Sequence, residues 1–304
     1  MESKLFLGNK LTNIVIPKTV TTIGAAAFNA NLLPDDQALI FKRNSDGTED
    51  NSVVVSYGGK TANFVAIPNT VTEIGNDAFR EDRIQNIQIP NTVTKIGTRA
   101  LYMNSLVHLE IPSSVTEIGE MAISVNQLPP EEAFLYKRNQ DGSEDRSTLI
   151  GYGGALRENI VIPSQVTVID NYAFALNSVR SVQIQNTVTK LGNEAFYWCS
   201  LTTIIIPDSV TEIGNNAFSQ NQLTSVELGN KVVKIGSSAF IRNKLSQVII
   251  PASVQEIGVS AFKSNQLTKV QIKGKTQPSD FKTYGNTIWG WASGYSDANI
   301  EWNL

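Results

Sequence analysis

Aliphatic residues return along this chain at a fixed spacing. Leu201, Leu223, Leu245 and Leu267 stand 22 residues apart, as do Ile84, Leu106 and Leu128. Within one period, Leu201 to Gln222, apolar and polar positions alternate through Leu201, Ile204 and Ile206 and again through Val210 and Ile213. Alternation over so few residues predicts two short strands, each with one inward face. Ala217–Phe218 then add an apolar pair on an expected short helical turn. Nine copies are recognisable, their first strands ending at Ile16, Ile67, Ile89, Ile111, Ile162, Ile184, Ile206, Leu228 and Ile250. A period in the twenties predicts a solenoid. One coil buries about six apolar side chains, stabilising it by on the order of 10–15 kcal/mol. Ordering its backbone costs about 1–2 kcal/mol per residue, so a lone coil is unstable and stacking is obligatory.

The recurring letters have separate tasks. Pro207 ends the first strand because it has no N–H to donate. Gly214 follows the second strand, where a turn with positive φ is expected. Asn221 comes three residues after the ring, and its slot reads Asn31, Asp82, Asn104, Asn126, Asn177, Cys199, Asn243 and Asn265 elsewhere. An inward Asn can satisfy backbone groups that a turn leaves unpaired. The position before the second-strand Ile reads Glu73, Lys95, Glu117, and later Lys190, Glu212, Lys234, Glu256. Stacked about 4.8 Å apart, these side chains alternate in charge, and a one-coil slip would oppose like charges.

The period breaks twice. Leu33 to Ile67 and Leu128 to Ile162 each span 34 residues, where Leu201 to Ile206 spans 5. The inserted stretches, "ALIFKRNSDGTEDNSVVVSYGG" and "AFLYKRNQDGSEDRSTLIGYGG", read as β-hairpins. They lie 95 residues apart, so a unit of one hairpin and three coils has been duplicated. Each hairpin is expected either to close one array and start the next or to project sideways. Their acidic turns (Asp46, Glu49, Asp50 and Asp141, Glu144, Asp145) offer calcium-compatible oxygens, but the spacing is not that of an EF-hand. A solvated turn is the alternative. The resulting organisation is a solenoid over 1–272, with hairpin insertions at about 34–62 and 129–157, and an aromatic-rich cap over 273–304.

Composition narrows the chemistry. With 25 basic and 28 acidic residues, the net charge is −3. Nucleic acid is therefore not an expected partner. No apolar run approaches the length of a membrane span. One His and one Cys supply too few ligands for a His/Cys zinc site, and neither a metal nor a cofactor is expected. A catalytic triad could use only His108, which reads as an exposed strand residue; Cys199 reads as a buried thiol. Glu73 and Glu117, two rungs or about 9–10 Å apart, approach an inverting glycosidase pair, but Lys95 lies between them. "LFLGNKL" aligns with the middle of a coil, so the chain reads as a fragment of a longer protein.

The phrase L-x-x-I-x-I-P-x-S-V-T-x-I-G-x-x-A-F-x-x-N, as in "IPDSVTEIGNNAF" (Ile206–Phe218), resembles the BspA-like leucine-rich repeats of bacterial surface proteins. The resemblance covers about Leu5 to Ile272. It implies a right-handed leucine-rich-repeat coil, mainly β. It also implies a secreted or wall-associated protein that binds proteins or glycans on host or neighbouring cells, and it supplies no catalytic residues; a monomer is expected. Candidate ligand-contacting residues are Tyr102, Tyr197 and Trp198 after the ring, and His108, Glu110 and Gln183 in the variable strand columns. Trp289 and Trp291 of the C-terminal segment complete the set. Two further readings are a structural spacer, including a phage tail-like receptor-binding fibre, and a polysaccharide-active enzyme.

Overall fold

The computed structural model describes residues 1–60, 63–276, 283–284 and 300–302. They form two compact units, Met1–Asp145 with Gly151–Ala155, and Arg146–Ile150 with Leu156–Leu304. Each is a stack of coils with an aromatic and aliphatic interior.

The second unit is the more regular. Its second strands, Val168–Ile169, Lys190–Leu191, Glu212–Ile213, Lys234–Ile235 and Glu256–Ile257, pair in parallel, each residue beside its counterpart one period on. Thr148 and Leu149 pair with Val168 and Ile169 at the start of this ladder. The charge column forms as expected. Lys190 reaches Glu212 at 3.2 Å, and Lys234 sits 4.0 Å from both Glu212 and Glu256. These groups are half exposed, so each pair contributes less than about 1 kcal/mol. Their value is in register. Inside, the rings of Phe174, Phe196, Phe218, Phe240 and Phe262 stack nearly parallel, the first two centroids 4.9 Å apart and the others 5.2 Å.

The inward asparagines clamp successive coils. Asn221 Nδ2 donates to the carbonyl of Phe196 at 2.7 Å and to that of Phe218 at 3.1 Å, and Oδ1 accepts the Leu201 N–H at 3.0 Å. Asn243 repeats all three bonds one coil on. Cys199 keeps the carbonyl bond to the preceding coil, its thiol donating to Phe174 at 3.1 Å.

Two local expectations are corrected. The segment around Ala217–Phe218 is a run of tight turns, not a short helix. Asn216 and Gln220 sit at φ 53° and 57°, incompatible with a right-handed helix. The N–H groups of Asn216, Phe218 and Gln220 instead donate to the next coil, at Ser237, Ala239 and Ile241. Among the described residues, the regular helix is the single turn Asp35–Ala38. Gly214 is not in the left-handed region either. A Cβ there would lie 2.5 Å from the Gly192 carbonyl carbon and 2.6 Å from the Asn193 nitrogen. The glycine column exists because neighbouring backbones touch along it. Asp170 fits this reason, since its neighbour in the second unit is a strand of the hairpin and not a coil.

The first unit contains the first hairpin, Leu39–Arg43 and Glu49–Tyr57, paired antiparallel. Its longer strand occupies a rung of the stack. Val53 and Val54 pair in parallel with Glu73 and Ile74, and the sheet continues through Lys95–Ile96 to Glu117–Ile118. Tyr57 places its ring 5.5 Å from Phe79, taking the part that a coil's phenylalanine plays. The hairpin is thus built into the stack, not a projection from it. Lys95 meets Glu73 at 3.1 Å.

Candidate functional site

On the first-strand face of the first unit, Val65–Ala66 pair in parallel with Ile87–Gln88. The ladder then ends in an isolated bridge between Asn86 and His108. The reason is in the hairpin. Glu132, arriving with the second hairpin, accepts the Leu109 N–H at 2.8 Å through Oε2, and its Oε1 lies 2.8 Å from His108 Nδ1. Gln37 Oε1 accepts the Ile14 N–H in the same way, 95 residues earlier. A side chain from the hairpin thereby replaces the next strand.

Where the ladder stops, a groove of about 1060 Å³ opens across three coils. Strand alternation sends two columns outward into it, Phe64–Asn86–His108 and Gln88–Glu110. Ile67, Ile87 and Ile89 form its floor, and Asn69, Asn91, Pro90 and Pro112 line one side. Phe64 is 59% exposed, a high value for a phenylalanine. The lining includes no Lys or Arg. Among the described residues no hydroxyl or thiol bonds the His108 ring, so the His108–Glu132 pair lacks a nucleophile. The groove can stack a ring and hydrogen-bond polar groups.

The chain matches the model of the BspA type leucine-rich repeat region in six copies, over residues 1–34, 56–130 and 153–276. The chain belongs to that BspA-type family. Among solved structures, it is similar to a leucine-rich cell surface protein from Faecalibacterium prausnitzii, with a TM-score of 0.50 and 21% identity over 96% of this chain and 83% of that one. It is also similar to the pneumococcal vaccine antigen PcpA, with a TM-score of 0.48 and 18% identity over all of this chain and 63% of that one. The first likeness supports the fold. No curated protein sequence matches the chain.

Of the sequence-predicted residues of this BspA-type repeat protein, His108 and Glu110 meet in the groove. Tyr102 does not face outward. It is 6% exposed and lies beneath the Arg80 guanidinium, 5.2 Å from the ring centroid. Its counterpart Tyr197 has Ala175 in the place of Arg80, and remains half buried, accepting a hydrogen bond from Gln220 Nε2 at 2.8 Å. Trp198 stands edge-on to Tyr197 at 6.2 Å and is 56% exposed. Tyr197 lines a shallow hollow of about 260 Å³ with Glu194, Gln220 and Arg242. Gln183 is exposed on a first strand of the second unit. Trp289 and Trp291, with most of the expected cap over 273–304, lie outside the described residues. Phe64, Asn86 and Gln88 were missed as a site, although all three stand in the variable columns.

The hairpin turns use their own carboxylates. Asp46 Oδ1 accepts the Thr48 hydroxyl at 2.6 Å and its N–H at 2.9 Å. Asp141 accepts the same pair from Ser143. These bonds, the hydroxyl first, hold both carboxyls below their usual range. Arg43 donates to the Gly47 carbonyl across the first turn, and Arg138 to that of Gly142 across the second. No group of three metal-ligating side chains occurs among the described residues.

Proposed function

We propose that this chain is a non-catalytic binding module displayed at a bacterial surface, and that the groove of its first unit is the recognition site for a protein or glycan ligand. One observation carries the reading. The inward residues repeat from coil to coil, whereas the outward columns Phe64–Asn86–His108 and Gln88–Glu110 change at every rung and meet in the groove. A fixed frame presenting variable side chains is how repeat solenoids bind partners. Family membership and the likeness to a cell surface protein agree with display outside the cell. Among the described residues, no helix is long and apolar enough to cross a membrane.

The regularity of the second unit favours a second reading, a spacer that holds another domain away from the surface. Binding of the purified chain to host matrix proteins, cells and glycan arrays separates the two. The module reading expects binding that falls sharply in a Phe64→Ala, Gln88→Ala, Glu110→Ala triple variant of unchanged melting temperature. A folded wild-type chain that binds none of these targets supports the spacer. Undiminished binding by the variant removes the groove from the proposal.

A further inference from the structure

We infer that the groove of the first unit takes an uncharged oligosaccharide, stacked on Phe64 and hydrogen-bonded by the amides and carboxylate beyond it. The inference rests on the binding-module reading and narrows its ligand. Four observations point to this class. The exposed Phe64 ring offers an apolar face at one end of the groove. An aromatic face carries a negative quadrupole, so it attracts the weakly positive C–H edges of a sugar ring. Next, Gln88 and Asn91 are exposed, and their amides are uncommitted among the described residues. Each amide holds a donor and an acceptor side by side, which matches neighbouring hydroxyls that also both give and accept.

The third observation is charge. Glu110 and Glu132 bring two carboxylates to the region and no Lys or Arg lines it, so an anionic chain would be repelled. The fourth concerns peptides. A peptide strand adds to a sheet through a free edge, but Ile87–Gln88 is paired with Val65–Ala66 on one side and bridged through Asn86–His108 on the other. That leaves side chains to form the contacts, and these few polar groups above an apolar floor suit a small ligand.

The test uses the full chain in titration calorimetry against three neutral probes: malto-oligosaccharides, cello-oligosaccharides and N-acetylglucosamine oligomers. Heparin fragments form the anionic arm. Binding of at least one neutral series is expected, weakened roughly tenfold or more by Phe64→Ala and by Gln88→Ala. Glu110→Gln keeps the acceptor and removes the charge, and should alter affinity by about twofold at most. Each variant is checked by its melting temperature, which should not move because these side chains are exposed. Absence of binding to all three neutral series overturns the inference, as does preference for heparin or insensitivity to Phe64→Ala. If a protein ligand binds, is lost in the groove variants and no sugar does, the ligand class falls while the binding-module reading stands.

Discussion

Replacing Asp82 by Asn should stabilise the first unit, and by more as pH rises. Asp82 occupies the slot that seven other coils fill with Asn. In those coils the amide nitrogen donates to carbonyls, as Asn104 Nδ2 does to Phe79 at 2.6 Å. Asp82 is 4% exposed. Its Oδ1 accepts the Ala30 N–H at 2.6 Å, while Oδ2 is buried without a partner among the described residues. Burial pushes this carboxyl well above the usual carboxylate range; the Ala30 N–H opposes the shift and Glu81 adds to it. A protonated Oδ2 can donate like the missing amide, so the folded chain holds a proton that the unfolded chain releases.

The sign follows from that raised pKa. Asp82 contributes its full stability below the unfolded value of about 3.9. It loses that contribution as pH rises toward the higher folded value, at about 1.4 kcal/mol per pH unit. An Asn has no such loss, and it relieves an unsatisfied buried group worth about 1–3 kcal/mol. Asp77, nearby, runs the other way. Burial would raise its carboxyl, but Arg99 at 2.9 Å and Arg80 at 3.4 Å outweigh it and hold the carboxyl low. That term is common to both chains and cancels in their difference. Urea melts of wild type and Asp82→Asn between pH 4 and pH 7 measure it, with pH values chosen around the about 3.9 reference. The gap should be small at the acid end and widen with pH. A constant gap, or a variant less stable than wild type at neutral pH, would refute the protonated-acid argument.

Three further outcomes are expected. Gly214→Ala should destabilise by about 1–3 kcal/mol or more, because its Cβ meets three backbone atoms within 2.6 Å. Gly75→Ala should cost less, since its Cβ meets only the Val54 oxygen, at 2.8 Å, before a gap to 3.7 Å; equal losses in chemical denaturation would contradict the packing explanation. Burial lifts the Cys199 thiol to about 12, so the folded chain should resist alkylation at mildly alkaline pH and react on unfolding, and Cys199→Asn should be tolerated because it restores the amide clamp. Glu212→Lys would place a third lysine between Lys190 and Lys234, costing about 1 kcal/mol in low salt and much less in 1 M salt, which a salt series of melts would show.

The period made the frame legible. Residues 22 apart in the sequence are paired residues in the sheets, and the Lys–Glu column and the asparagine clamps stand where the letters placed them. The glycines were legible in position but not in cause, because a letter reports the absence of a side chain and not whether dihedral angle or crowding demands it. The turns around Ala217–Phe218 escaped for a similar reason: four to six residues of suitable spacing fit a helix or a chain of turns equally well, and only Asn216 and Gln220 at positive φ decide. The groove was half legible. His108 and Glu110 lie in columns that vary, but nothing in the local sequence says that Glu132, 22 residues beyond Glu110, ends the ladder and opens the surface beside them. Asn193 and Asn215, each accepting the N–H one coil on, went unread because their column is not uniform.

The first hairpin enters the stack through Val53, Val54 and the Tyr57 ring, and so meets the coil after it on a coil's own terms. An arm that ends in such an adaptor can be copied together with the coils that follow it, and the copy needs no new joint. Length in this lineage can therefore increase by whole modules at a stroke, with each duplicate free to drift on its outer face while its inner face is already solved.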